Sequence, residues 1–108
     1  MPILEKIPFK IAPISASAGD NDIVAAVAEK RIKVCVLHMV IGGGGTATWK
    51  SGTTAITGVP TYAAGDIINA SVTPVVFLLA TVAGEKLALN LSAGTAKGWL
   101  VYWDTDAS

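Results

Sequence analysis

The stretch RIKVCVLHMVIGGGGTATWKSGTTAITG, residues 31–58, decides how the rest of the chain is read. Ile32, Val34, Val36 and Val40 recur at the strand period of two, and His38 is the one polar residue on their face. The opposite face begins with Arg31 and Lys33 and turns apolar through Cys35, Leu37, Met39 and Ile41. Such a strand starts half exposed and ends covered on both sides. Gly42, Gly43, Gly44 and Gly45 end it, since glycine costs backbone entropy and has no side chain to pack. They read as a hairpin loop. The next strand places Ala47 and Trp49 on one face and Thr46, Thr48 and Lys50 on the other. Ser51-Gly52 then turns the chain into a third strand over 53–57, closed by Gly58.

Downstream the same period continues. Residues 59–66 read as a loop, and strands are expected over 66–72 and 75–82, broken at Thr73-Pro74. Leu87, Leu89 and Leu91 then point inward, with Lys86, Ala88, Asn90 and Ser92 outward. The last strand, 98–103, is apolar on both faces, with Trp99, Val101 and Trp103 opposite Leu100 and Tyr102. It lies in the middle of a sheet or against another chain.

Upstream, Pro2, Pro8 and Pro13 exclude a helix over 1–15. That segment is either an extended N-terminal arm reaching a neighbouring subunit or an edge strand of its own sheet. Residues 17–22 read as a turn cluster. The segment IVAAVAEKRIK, 23–33, fits a capped helix with a Glu29–Lys33 pair. It also fits a strand with Ile23, Ala25 and Val27 on one face and a hairpin tip at 28–31. The β pattern that follows favours the strand. Roughly eight short strands separated by glycine-rich turns make the chain all-β. The expected architecture is a single-domain β-sandwich or jelly roll over 16–108, preceded by the extended segment 1–15.

Composition narrows the function. The chain has 108 residues, enough for one core and no second. It is 52% hydrophobic and only 15% charged, so apolar surface beyond the core is expected to serve a protein–protein interface. No apolar run reaches the length that spans a bilayer. Eight basic and eight acidic residues cancel, and no long-range field draws the chain to nucleic acid or an anionic membrane. The single Cys35 excludes an internal disulfide and fits assembly in a reducing cytoplasm. The first ten residues, MPILEKIPFK, carry no secretory signal pattern.

Candidate chemistry is sparse, and no catalytic residue, cofactor or metal is expected. His38, the sole histidine, sits in an apolar strand face without a local acid or nucleophile, which fits a packed core or interface residue. Gly42 to Gly45 lead into a strand rather than the helix that a phosphate-binding loop requires. Asp20-x-Asp22 and Asp104-x-Asp106 lack the glycine and distal glutamate of a calcium loop. The charged cluster at 29–33 keeps one end soluble or meets an acidic partner. Of the aromatics able to stack on a sugar, only Tyr62 falls in an expected loop.

Three stretches taken together, AAVAEKRIKVCVL, WKSGTTAITG and AGEKLALNLSAGTAKGWLVYW, resemble small β-rich virion proteins of tailed bacteriophages, of the head decoration or cement kind. The likeness covers about 21–103 and rests on turn glycines and inward aliphatics. The tetraglycine run, the Trp99–Trp103 aromatics and the proline-rich start fall outside it. The resemblance implies a structural protein made in the host bacterial cytoplasm that binds the outside of a capsid and bridges major capsid subunits. It implies no catalysis. The alternative is a glycan- or receptor-binding β-sandwich module of a phage tail or fibre. A lone domain of this size has difficulty covering both faces of its apolar strands, so a homo-oligomer, dimer or trimer, is expected. The interface candidates are Pro8, Phe9 and Ile11 from the first segment, Leu37, Met39 and Ile41 from the long strand, and Trp99, Val101, Tyr102 and Trp103 from the last.

Overall fold

Backbone donors and acceptors withdrawn from water must find partners, and a chain patterned at period two finds them in sheets. A computed structural model of the protein describes residues 9–58, 60–72 and 78–106. Their strands are β1 (Lys10–Ala16), β2 (Gly19–Val24), β3 (Lys30–Gly42), β4 (Gly45–Ser51), β5 (Thr54–Ala55), β6 (Thr61–Tyr62), β7 (Ile67–Ser71), β8 (Leu79–Ala80), β9 (Leu87–Leu91) and β10 (Thr95–Asp106). All pairings are antiparallel, and the described residues contain no helix.

One sheet, A, runs β1-β10-β3-β7, with β8 also on β3; the other, B, runs β2-β9-β4-β5, with β6 also on β4. The two orders match position by position: the chain places β1 and β2, β10 and β9, then β3 and β4 in corresponding columns of opposite sheets. That is the strand order of a jelly roll within a β-sandwich. The core between the sheets joins Ile14, Ile32, Val34, Met39 and Leu100 of sheet A to Trp49, Leu87 and Leu89 of sheet B, all buried. The inward leucines of β9 are those the alternating pattern names.

The long strand departs from strict alternation. Val36 pairs with Val101 and Val34 with Tyr102, which leaves Cys35 as the extra residue of a β-bulge. Ile32 and Val34 therefore face the core before the bulge, and Leu37, Met39 and Ile41 face it afterwards. This corrects the expectation that Leu37, Met39 and Ile41 meet a partner: they are core residues of this chain. Val36, His38 and Val40 take the outer face instead.

The tetraglycine run is not a hairpin, because β3 and β4 belong to different sheets. It carries the chain across the sandwich edge in a corner too tight for side chains. A Cβ on Gly94, in the neighbouring corner, would lie 2.6 Å from the Gly43 carbonyl oxygen and 2.8 Å from that of Gly42. Residues 25–29 likewise cross from sheet B to sheet A. The strand there ends at Val24, so Ala25 and Val27 lie beyond it. Thr61–Tyr62, expected as loop, pairs with Gly45 and Thr46.

Of the two readings of the first segment, residues 10–15 belong to an edge strand of sheet A. Pro8 lies outside the described residues. Pro13 fits the edge because a residue without an N–H can sit only where that group would point away from β10. On the far side, buried polar groups tie β8 into the sandwich. The Thr81 hydroxyl accepts from the Ile32 N–H at 3.0 Å. The Ser51 hydroxyl donates to Glu85 Oε1 at 2.6 Å and accepts from the Val82 N–H at 2.8 Å.

Candidate interaction surface

Each strand of a sandwich must place half of its side chains outside, and the register states which ones share a row. On sheet A, across β1, β10, β3 and β7, one row reads Ser15, Lys97, Val40, Ile67. The next reads Pro13, Trp99, His38, Asn69, and the third Ile11, Val101, Val36, Ser71. Exposure confirms the orientation: Ile11 is 72% exposed, Ile67 64%, Trp99 47% and Val40 40%. At the centre the Trp99 and His38 rings lie 4.5 Å apart, tilted by 33°. Beyond the bulge, Lys33 Nζ sits 5.0 Å from the centre of the Trp103 ring. Described outward positions of these rows carry no carboxylate.

The outer face of sheet B is built from different chemistry. Asp20 accepts from Asn90 Nδ2 at 2.7 Å and from Lys50 Nζ at 3.3 Å. Lys86 pairs with Asp22 at 2.8 Å. The Asn90 hydrogen bond, then that of Lys50, holds the Asp20 carboxyl below its ordinary range. These charges are satisfied within the chain and solvated.

The interface candidates divide accordingly. Phe9, Ile11 and Trp99 are exposed, and Val101 and Trp103 are half-buried. Tyr102 is half-buried too, but it packs against the core, which corrects its assignment to a partner-facing surface. Val40 and Ile67, not among the candidates, complete the row beside Lys97. Alternation along 66–72 marks an outward set, yet the side of Val40 depends on the bulge.

His38 engages Trp99, and no hydrogen bond to its ring forms among the described residues. Cys35 is buried, its thiol 3.6 Å from the Val101 carbonyl oxygen, and burial pushes its pKa up. A protonated, enclosed thiol is a poor nucleophile. At the end of β10, Lys10 reaches Asp104 Oδ2 at 3.0 Å, and that hydrogen bond raises the lysine pKa. Among the described residues no group of three or more His, Cys, Asp or Glu side chains is placed to hold a metal, and no helix is long and apolar enough to cross a membrane. Comparison with protein-family profiles, with curated proteins and with solved structures found no match.

Proposed function

We propose that the chain is a structural virion protein that binds the outside of a phage capsid and bridges neighbouring major capsid subunits, without bond-making chemistry. The observation that supports this reading is the outer face of sheet A. Isolated exposed aliphatics are ordinary, but Ile11, Trp99, Val40 and Ile67 share one four-stranded face around an aromatic centre. Interfaces draw their energy from such buried aromatic anchors. The partner class comes from the sequence resemblance to head decoration proteins. A protein that binds only the assembled shell stabilises it by mass action, in proportion to occupancy.

The same face serves a homo-oligomer, dimer or trimer, on the shell. Pairing of copies through the β1 edge is disfavoured, because Pro13 removes an outward donor from the middle of that strand. The test is to prepare shells with and without the protein, heat them and follow genome release. Release at a higher temperature with the protein bound supports the cement role. Identical release temperatures at full occupancy refute it and move the glycan- or receptor-binding reading to first place.

A further inference from the structure

The sandwich is closed unevenly. On the β1 and β2 side the sheets end in strands of 7 and 6 residues. On the opposite side sheet A ends in β7, 5 residues long, and β5, β6 and β8 are only two residues long. Among the described residues, a pocket of about 220 Å³ opens between the sheets there. Leu37 and Met39 form its floor from β3, Trp49 lines it from β4 and Tyr62 from β6, while Ile68 and Leu79 line it from sheet A.

From this geometry we infer that the pocket is a binding site for a compact apolar molecule of the size of a one- or two-ring aromatic. Volume sets the upper bound: an apolar cavity of about 150 Å³ holds benzene and stays dry when empty. The pocket here is larger, so a bicyclic such as indole fits the same argument. Chemistry sets the class. Among the described residues the walls are aliphatic and aromatic, with Thr57 as the one small polar residue. Its hydroxyl already donates to the Gly58 carbonyl oxygen and accepts from the Trp49 N–H, both at 3.0 Å. Among the described residues no charged side chain lines the pocket, so an ionic ligand would be taken out of water without a partner for its charge. A bound apolar ligand touches both sheets at once and clamps the seam where strand pairing is shortest. The inference is independent of the shell-binding reading, since the pocket opens at the sandwich edge rather than on the outer face of sheet A.

The experiment titrates the full chain with indole and, separately, benzene, recording Tm and backbone and methyl NMR spectra. Expected are saturable shifts at Leu37, Met39, Ile68 and Leu79, and a Tm that rises by a few degrees and continues upward with the logarithm of ligand concentration. Ala70→Leu, which places a larger side chain at the pocket wall, should abolish the ligand-dependent rise; a rise retained unchanged in this variant, if it folds, counts against the site. The wild-type titration decides the matter without the variant. Unmoved pocket resonances at millimolar probe overturn the inference, as do shifts confined to Trp99, His38 and Val40 on the outer face.

Discussion

The two outer faces of the sandwich come from the same chain and the same strand geometry, yet they meet solvent on different terms. Sheet B presents Asp20, Asp22, Lys50, Lys86 and Asn90, joined by hydrogen bonds and ion pairs that it makes with itself. Sheet A presents Ile11, Trp99, Val40 and Ile67 around His38, whose ring lies against that of Trp99. Exposed ion pairs contribute little to stability. Their consequence is a face that stays hydrated and offers little apolar surface for contact. An aromatic-centred apolar face gains free energy whenever a partner removes it from water. With zero formal net charge, the difference between the faces lies in arrangement rather than in the chain's total charge.

The largest expected effect separates the inside of sheet A from its outside on a single strand. Leu100 is fully buried and Trp99, its neighbour, is 47% exposed on the opposite face. Leu100→Ala should lower unfolding free energy by about 2–5 kcal/mol, through lost burial and the cavity left behind. Trp99→Ala should cost about 1 kcal/mol, because much of its ring is already in water. Urea denaturation of the two variants measures both. Equal losses would mean that Trp99 is part of the fold rather than of a binding face.

Attachment should reverse that order. Trp99→Ala is expected to weaken binding to the shell by roughly thirtyfold, the effect of losing an anchor of about 2 kcal/mol. Lys86→Gln, on the face of sheet B, should leave binding unchanged. Because sheet A's centre is apolar, binding should also survive moderate salt, which screens exposed ion pairs. Sedimentation of shells with each variant, at two salt concentrations, tests the asymmetry. Loss of binding with Lys86→Gln and retention with Trp99→Ala would assign the contact to the wrong face.

How much of this was legible beforehand follows from where polar residues mark the phase. Leu87, Leu89 and Leu91 alternate with Lys86, Asn90 and Ser92, so their inward direction was plain. The run Val34-Cys35-Val36-Leu37 contains no polar marker, and a bulge inside it shifts the phase without a trace in hydropathy. That hidden shift moved Leu37, Met39 and Ile41 from candidate interface to core. Gly42 to Gly45 and the expected hairpin tip at 28–31 marked turns, but turn residues do not say whether the chain returns to its own sheet or crosses to the other. The two-residue strands β5, β6 and β8 are defined by partners far along the chain, which local patterning cannot register. For the same reason the pocket that β6 and β8 border had no signature.

The bulge itself supplies a sharper test of the two-face arrangement. Deleting Cys35 should join Val34 directly to Val36 and restore an unbroken ladder with β10, while Ile32, Val34, Leu37 and Met39 stay inward. The Val72 N–H loses its acceptor, the Cys35 carbonyl at 2.9 Å, at a cost of about 1 kcal/mol. The variant is therefore expected to fold, with Trp99 fluorescence and shell binding retained. A chain that no longer folds would show that the bulge carries a twist the sandwich requires.

The smallest effect belongs to sheet B and depends on pH. The folded-state pKa of Asp20 is lowered, first by the Asn90 hydrogen bond and then by Lys50, with Lys86 adding a weaker attraction. A group depressed on folding contributes stability above its unfolded value, ordinarily 3.8, and loses it as pH falls through the lower folded value. Asp20→Asn should therefore lower Tm slightly at pH 7, by less than any substitution above, since the carboxylate is largely solvated. The difference from wild type should shrink as the medium is acidified below that range, where the wild-type carboxyl also becomes neutral. Leu100→Ala removes no carboxylate and should keep its deficit through the same acid window. Thermal melts of the three proteins from pH 7 down to the acid limit of folding make the comparison. An Asp20→Asn deficit that persisted undiminished in acid would mean that Asp20 acts through packing rather than charge. The account of sheet B as a self-paired electrostatic face would then need revision.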